Sequence, residues 1–153
     1  MSLFDVYPLF DVTPVKAKDV YVFDNNGNKY LDLYGGHAVI SIGHAHPTYI
    51  KNINQQVSKL GFYSNAIKNP LQIELAKQFG IKSNCKNYQL FLCNSGAEAN
   101  ENALKLASFH TNKKKVISFK NSFHGRTSAA VATTDNTKIV APINSQQEVI
   151  FHD

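Results

Sequence analysis

The order of signals along this chain predicts an α/β fold, a sheet with helices packed on its faces. Three observations predict it: an Asn-Gly turn between two β-favouring runs, two helical segments opened by proline and closed by glycine, and a strand-helix alternation that fills the second half.

The elements follow in order. Val20–Phe23 and Tyr30–Leu33 flank Asp24-Asn25-Asn26-Gly27-Asn28, and the Asn-Gly pair suits the positive φ of a tight turn, so these runs read as a hairpin. Gly35-Gly36 and Gly43 then break the pattern. Pro47 stands at the first position of a segment whose Ile50, Ile53, Val57 and Leu60 recur at helical spacing, and Gly61 closes it. A second helix opens at Asn69-Pro70 and runs through Leu75, Ala76 and Phe79 to Gly80. Tyr88–Cys93 reads as a strand, and Ala97–Thr111 as a helix with Ala99, Ala103, Leu106, Ala107 and His110 on one face. Val116–Phe119 is the next strand, Thr127–Thr133 a short helix, and Val149–Phe151 a further strand.

Composition narrows the function classes. The chain has 153 residues, 43% hydrophobic and 18% charged, the balance of an ordinary globular protein. No apolar run approaches the ~18 residues of a membrane span, and Met1–Asp11 has no basic stretch followed by an apolar core. A cytoplasmic protein is expected. Cys85 and Cys93 form no CxxC and suit a reducing compartment. The net charge of +5 comes from scattered lysines, and the one contiguous run, Lys113-Lys114-Lys115, falls where a helix hands over to a strand. A solvated charge run is expected there rather than a nucleic-acid patch. Of sixteen basic residues only Arg126 is arginine, which points to a place where a planar, bidentate fork is needed.

Two stretches carry candidate chemistry. Asn94-Ser95-Gly96-Ala97-Glu98 lies between a strand and a helix, so the first-turn amides face whatever sits beyond the strand. Gly96 permits close approach of a phosphate and the Ser95 hydroxyl can donate to it. Ser95 with Glu98 three residues on also spells a capping box, which serves only the helix's own amides. The local pattern leaves both readings open. It lacks the spaced glycines of a dinucleotide site and the Gly-Lys-Ser/Thr ending of a triphosphate loop, so a phosphate here belongs to a smaller cofactor. The second stretch, Asn121-Ser122-Phe123-His124-Gly125-Arg126-Thr127, follows the next strand and would emerge at the same sheet edge. Phe123 can offer a ring face to a planar cofactor and Arg126 can hold a carboxylate; equally, the one can be core and the other solvated. His124 is read as a structural, hydrogen-bonded histidine. His44 and His46 offer only two ligands, so no metal is assigned.

The stretches Gly27-Asn28-Lys29-Tyr30-Leu31-Asp32, Gly43-His44-Ala45-His46-Pro47, Asn94–Glu101 and Ser122–Thr127 together resemble, in order, the class III aminotransferases, and among them the acetylornithine type. The resemblance implies the aspartate-aminotransferase-like fold (fold type I), a mixed sheet flanked by helices, with pyridoxal 5'-phosphate as cofactor. It implies that Gly96 and Ala97 bind the phosphate with support from Ser95, that Phe123 stacks on the pyridine ring, and that Arg126 holds the substrate's α-carboxylate. It also implies N-acylornithine and 2-oxoglutarate or glutamate as substrates and a homodimeric assembly. Succinylornithine, ornithine and other ω-amines are the competing donors. His37 departs from the apolar residue usual after the paired glycines, which leaves the acyl group open. The family's Schiff-base lysine and the aspartate paired with the pyridine nitrogen are expected beyond residue 153, so no catalytic residue is assigned within the chain, which is expected to be one portion of a longer enzyme. Residues 1–50 are expected to belong to a small domain and 51–153 to the first part of the large cofactor domain. A non-enzymatic binding domain is the alternative from another class, supported only by the basic balance and the His44/His46 pair.

Overall fold

A computed structural model describes residues 1–153, which divide into two compact units, Met1–Asn69 and Pro70–Asp153. In the first, β1 (Pro14–Lys18), β2 (Tyr21–Asp24) and β3 (Lys29–Leu31) form an antiparallel sheet in that order. The expected hairpin is β2–β3, with Phe23 opposite Lys29 and Tyr21 opposite Leu31. Its turn is built around one carboxylate. Asp24 is buried and accepts from the Asn26 amide (2.9 Å), the Asn28 amide (2.8 Å), the Asn28 side chain (2.9 Å) and the Tyr30 hydroxyl (2.8 Å), while Gly27 takes the left-handed φ of +84°. Strand β1, not foreseen from the sequence, begins at a proline and carries two lysines, features that suit a sheet edge.

After β3 the chain makes one left-handed turn, α1 (Gly35–Ala38), with φ between 56° and 61° at all four positions. The paired glycines adopt it without strain, and His37 and Ala38 are carried with them. Asp32 holds the turn's start by accepting from the Tyr34 and Gly35 amides at 3.0 and 2.8 Å, and its other oxygen lies 2.7 Å from Nε2 of His44. Helix α2 (Pro47–Leu60) has the expected bounds, with Pro47 at its first turn and Gly61 as its C-cap.

In the second unit, α3 (Pro70–Lys82) runs two residues past Gly80, and the helix stops at Asn84, whose φ is +58°. Gly80 serves packing instead: a Cβ there would sit 3.4 Å from the Cys85 carbonyl oxygen. The expected strand Tyr88–Cys93 belongs to no ladder. Its residues favour a strand, but a strand exists only where another edge takes up its amides and carbonyls, and no ladder forms here. Helix α4 (Gly96–Thr111) ends at Asn112 in the left-handed conformation. Strand β4 (Val116–Phe119) then pairs in parallel with β5 (Val149–His152), joined through α5 (Ser128–Ala132) and a 3-10 turn at Pro142–Asn144. The lysine run between α4 and β4 is exposed, with Lys114 2.7 Å from Glu148.

The buried apolar residues are Ala130, Val131 and Ala132 of α5, surrounded by buried Ser118, Thr133 and Thr134. No buried side-chain nitrogen or oxygen lacks a hydrogen-bond partner. Most large apolar side chains are exposed, including Ile117 (71%) and Phe119 (64%) on the same strand. A self-contained fold of this mass exposes about 7,700 Å²; this chain exposes 13643 Å². No helix is long and apolar enough to cross a membrane.

Two outcomes are expected. Produced by itself, the chain should bind an apolar dye and associate in light scattering, whereas a monodisperse monomer with a cooperative melt would contradict this burial. Asp24, held below the usual carboxylate range chiefly by the Asn28 side chain, supports the hairpin above the unfolded value of 3.8 and loses that effect as pH falls through the lower folded value. Asp24→Asn should therefore lower amide protection of Asn26 and Asn28 at pH 7, with the deficit shrinking below about pH 4.

Candidate active site

The site begins at the first turn of α4. Ser95 is its N-cap in extended conformation (φ −149°, ψ 159°) and accepts from the Glu98 amide at 3.2 Å. The Glu98 carboxylate returns the contact, accepting from the Ser95 hydroxyl at 2.8 Å and the Asn94 amide at 3.0 Å. The capping box is thus formed. It uses the amides of Asn94 and Glu98, and the first intrahelical bond runs from the Ala99 amide to the Ser95 carbonyl at 3.0 Å. The Gly96 and Ala97 amides lie between these and have no intrahelical partner. Nothing approaches within 4 Å of where a Gly96 Cβ would stand. The cap and the anion cradle are therefore compatible, because they draw on different amides of one turn.

The second stretch follows β4. Ser118, buried on that strand, gives its proton to the Thr133 carbonyl at 2.7 Å, so the Ser122 hydroxyl (3.1 Å) and His124 Nε2 (3.2 Å) must donate to it. His124 has the structural role expected of it. Its amide donates to the Thr134 hydroxyl at 2.9 Å, and its carbonyl accepts from the Asn100 side chain at 2.7 Å. Asn121 is held by Asp135, which accepts from its amide at 2.7 Å.

Gly125 brings this loop onto α4. It is buried with φ of +139°, and an added Cβ would lie 2.6 Å from the Ala97 Cβ, 2.9 Å from the Ala97 Cα and 3.1 Å from the Ala130 Cβ. Phe123 stands two residues before this contact and is 65% exposed; Arg126 stands directly after it and is also exposed. Ser95, Gly96 and Ala97 are thus one turn, and the segment carrying Phe123 and Arg126 is pressed against it at Ala97.

Glu101 completes the arrangement. Its carboxylate accepts from the Ala129 and Ala130 amides and the Thr127 hydroxyl, each at 2.9 Å. Burial would raise its pKa, but these three donors outweigh that and hold it below the usual glutamate range. Sequence reasoning assigned no role to Asn100 or Glu101. Their signal was two polar residues on α4 away from the Ala99, Ala103, Leu106, Ala107 and His110 face, and that apolar face proves exposed, with Leu106 at 70%. Elsewhere, His37 packs edge-on to Tyr34 with ring centroids 4.8 Å apart, and no group of three or more His, Cys, Asp or Glu gathers to hold a metal.

The fold is that of pyridoxal-phosphate aminotransferases of fold type I. An ornithine aminotransferase from Toxoplasma gondii superposes with a TM-score of 0.84 at 27% identity, over 95% of this chain and 36% of that one. A taurine:2-oxoglutarate aminotransferase from Bifidobacterium kashiwanohense, solved in complex with PLP and glutamate, gives 0.83 at 25% identity, over 100% and 35%. The Aminotransferase class-III family matches residues 5–151, and the chain belongs to that family. The acetylornithine aminotransferases of Bacillus amyloliquefaciens and Bacillus subtilis are each 44% identical over 138 residues, 90% of this chain. The chain spans 59% and 35% of their respective lengths.

Because a Gly125 Cβ would meet backbone as well as side chain, Gly125→Ala should lift the loop from α4. We expect a loss of about 3 kcal/mol, from the disfavoured φ and the overlap together, visible as a lower melting temperature of the complete protein. A melt equal to that of the parent would show that the loop does not press on Ala97.

Proposed function

We propose that this chain is the N-terminal part of a pyridoxal 5'-phosphate-dependent aminotransferase that moves the terminal amino group of N-acetylornithine to 2-oxoglutarate, yielding N-acetylglutamate semialdehyde and glutamate. The observation that carries the reading is the pair of Gly96 and Ala97 amides left over by the Ser95–Glu98 cap, beside a loop bearing the chain's lone arginine. The relatives named acetylornithine aminotransferase, at 37% to 44% identity, support the choice of donor. On this reading the protein acts in the cytoplasm in arginine biosynthesis as a homodimer, residues 1–50 belong to the small domain and 51–153 begin the large one.

The residues fit the cofactor. The two amides and the open space at Gly96 suit a phosphate, with helix α4 contributing the positive end of its dipole. Ser95 lends its hydroxyl at the rim by turning its proton from Glu98 to the phosphate. When bound, the cofactor supplies an electron sink for proton transfer at the substrate's amino-bearing carbon. The exposed Phe123 ring supports the pyridine face. Arg126 holds the α-carboxylate by a bidentate pair of charge-assisted hydrogen bonds, which aims the far amino group of the donor inward. The covalent lysine anchor and the proton shuttle are assigned to the part of the enzyme beyond residue 153.

The test separates the two halves of the site. In the complete enzyme, Arg126→Lys keeps the charge and loses the planar fork, so binding of N-acetylornithine should weaken by about 2 kcal/mol, or ~30-fold. Cofactor absorbance should persist. A bulky residue, as in Gly96→Leu, should instead release the cofactor on dialysis. Unchanged acylornithine turnover in Arg126→Lys would remove the substrate assignment, and a preference for free ornithine or succinylornithine in a panel of amines would replace the donor.

A further inference from the structure

The hydrogen bonds at the start of α5 are unusual in their source. Thr127 is the N-cap, yet its side chain makes no capping bond to its own helix. It donates instead to Glu101, and the same carboxylate takes the Ala129 and Ala130 amides. The cap of α5 is therefore supplied from α4, across 26 to 29 residues of sequence. Five residues are too few to hold a helix by themselves, since nucleation is costly and isolated helices need about 12 or more. Helix α5 is also where the buried apolar residues lie. Its start is thus fixed by Glu101.

Arg126 sits between two attachments to one helix face. On one side Gly125 lies against Ala97; on the other Thr127 is held by Glu101. Ala97 and Glu101 are four residues apart on α4, hence roughly one turn, about 6 Å along its axis. Ala97 itself contributes one of the cradle amides. The helix that presents the anion site therefore also sets where the arginine's backbone stands. Asn100 adds a third tie by donating to the His124 carbonyl.

We infer that Glu101 is a positioning residue that fixes Arg126 relative to the Gly96–Ala97 cradle, and so fixes the distance between a substrate carboxylate and the cofactor. The inference rests on the assignment of Arg126 to that carboxylate under Proposed function. A glutamine at this position would turn one acceptor into an NH2 facing N–H or O–H donors, so Glu101→Gln keeps the size and breaks the cap. Loss of aim at a remote binding group falls on affinity for the carboxylate-bearing substrate.

The experiment uses the complete holoenzyme as parent, Glu101→Gln, Arg126→Lys and the double variant. The probe is N-acetylnorvaline, which has the acyl group and carboxylate and no transferable amine, with its Kd measured by calorimetry. Glu101→Gln should weaken it about tenfold, raise KM for N-acetylornithine in proportion, and leave kcat and cofactor retention on dialysis near those of the parent. The double variant should bind no more weakly than Arg126→Lys, because both act through one contact. Unchanged Kd in Glu101→Gln, additive losses in the double variant, or a loss confined to kcat or cofactor retention would each overturn the inference. An Arg126→Lys variant that binds normally would instead remove the assignment beneath it, and this inference with it. Where Glu101→Gln fails to fold, the isosteric Thr127→Val removes one of three donors and should show the same signature at about threefold; unchanged binding there overturns it.

Discussion

The approach of Gly125 to Ala97 is the constraint on which the second unit depends. No side chain fits between that loop and α4, since even a methyl group would fall 2.6 Å from the Ala97 Cβ. Once the two backbones meet there, the loop leaving β4 has no room to slide. The neighbouring hydrogen bonds then become possible: Asn100 to the His124 carbonyl, the His124 amide to Thr134, and Thr127 to Glu101. Each is a polar contact between residues distant in sequence, and each needs the register that the glycine contact sets.

The electrostatics of α4 follow from the same arrangement. Two carboxylates stand near its N-terminus, Glu98 in the first turn, where negative charge complements the helix dipole, and Glu101 in the second. Both are directed to donors outside the Gly96–Ala97 pair. Glu98 takes the amide of Asn94 and the hydroxyl of Ser95, and Glu101 takes the start of α5. The Gly96 and Ala97 amides, which no side chain claims, therefore keep the positive end of the helix dipole open. A proline or a larger residue in their place would remove a donor or cover it.

Local signals account for what was legible in the sequence. The Pro47–Leu60 helix and the Val116–Phe119 strand have the bounds their turn residues and periodicity imply, and the Asn-Gly hairpin forms where expected with its strands, Tyr21–Asp24 and Lys29–Leu31, displaced by one or two residues from the expected runs, because each is decided within its own few residues. Gly80 misled, since a glycine in the last turn can serve packing against Cys85 as well as termination, and Asn84 supplies the stop. Tyr88–Cys93 misled for the opposite reason: its composition is that of a strand, but pairing is a property of the partner. At the site, Ser95, Gly96 and Glu98 were readable as cap and cradle. Asn100 and Glu101 were not, because the bonds that give them a role span 24 to 29 residues and no period along a helix announces them. The apolar face of α4 drew attention instead, and it is the exposed one.

This contrast separates what organises the site from what would stabilise the fold. The packed part of the second unit is held by satisfied polar groups and three small buried residues of α5, while Ile117, Phe119, Leu106 and Phe123 remain in solvent. Small side chains bury little area, so their contribution at roughly 25 cal/mol per Å² is slight. The polar clamp of Ser118, His124, Asn100 and Glu101 specifies geometry; it does not supply a core. A site of this kind keeps its shape only while further apolar surface covers β4, β5 and the outer face of α4, since the net worth of each hydrogen bond is small and an opened one is taken up by water. The candidate residues are thus placed by contacts within the chain, and the permanence of that placement is set by whatever buries the faces it leaves exposed.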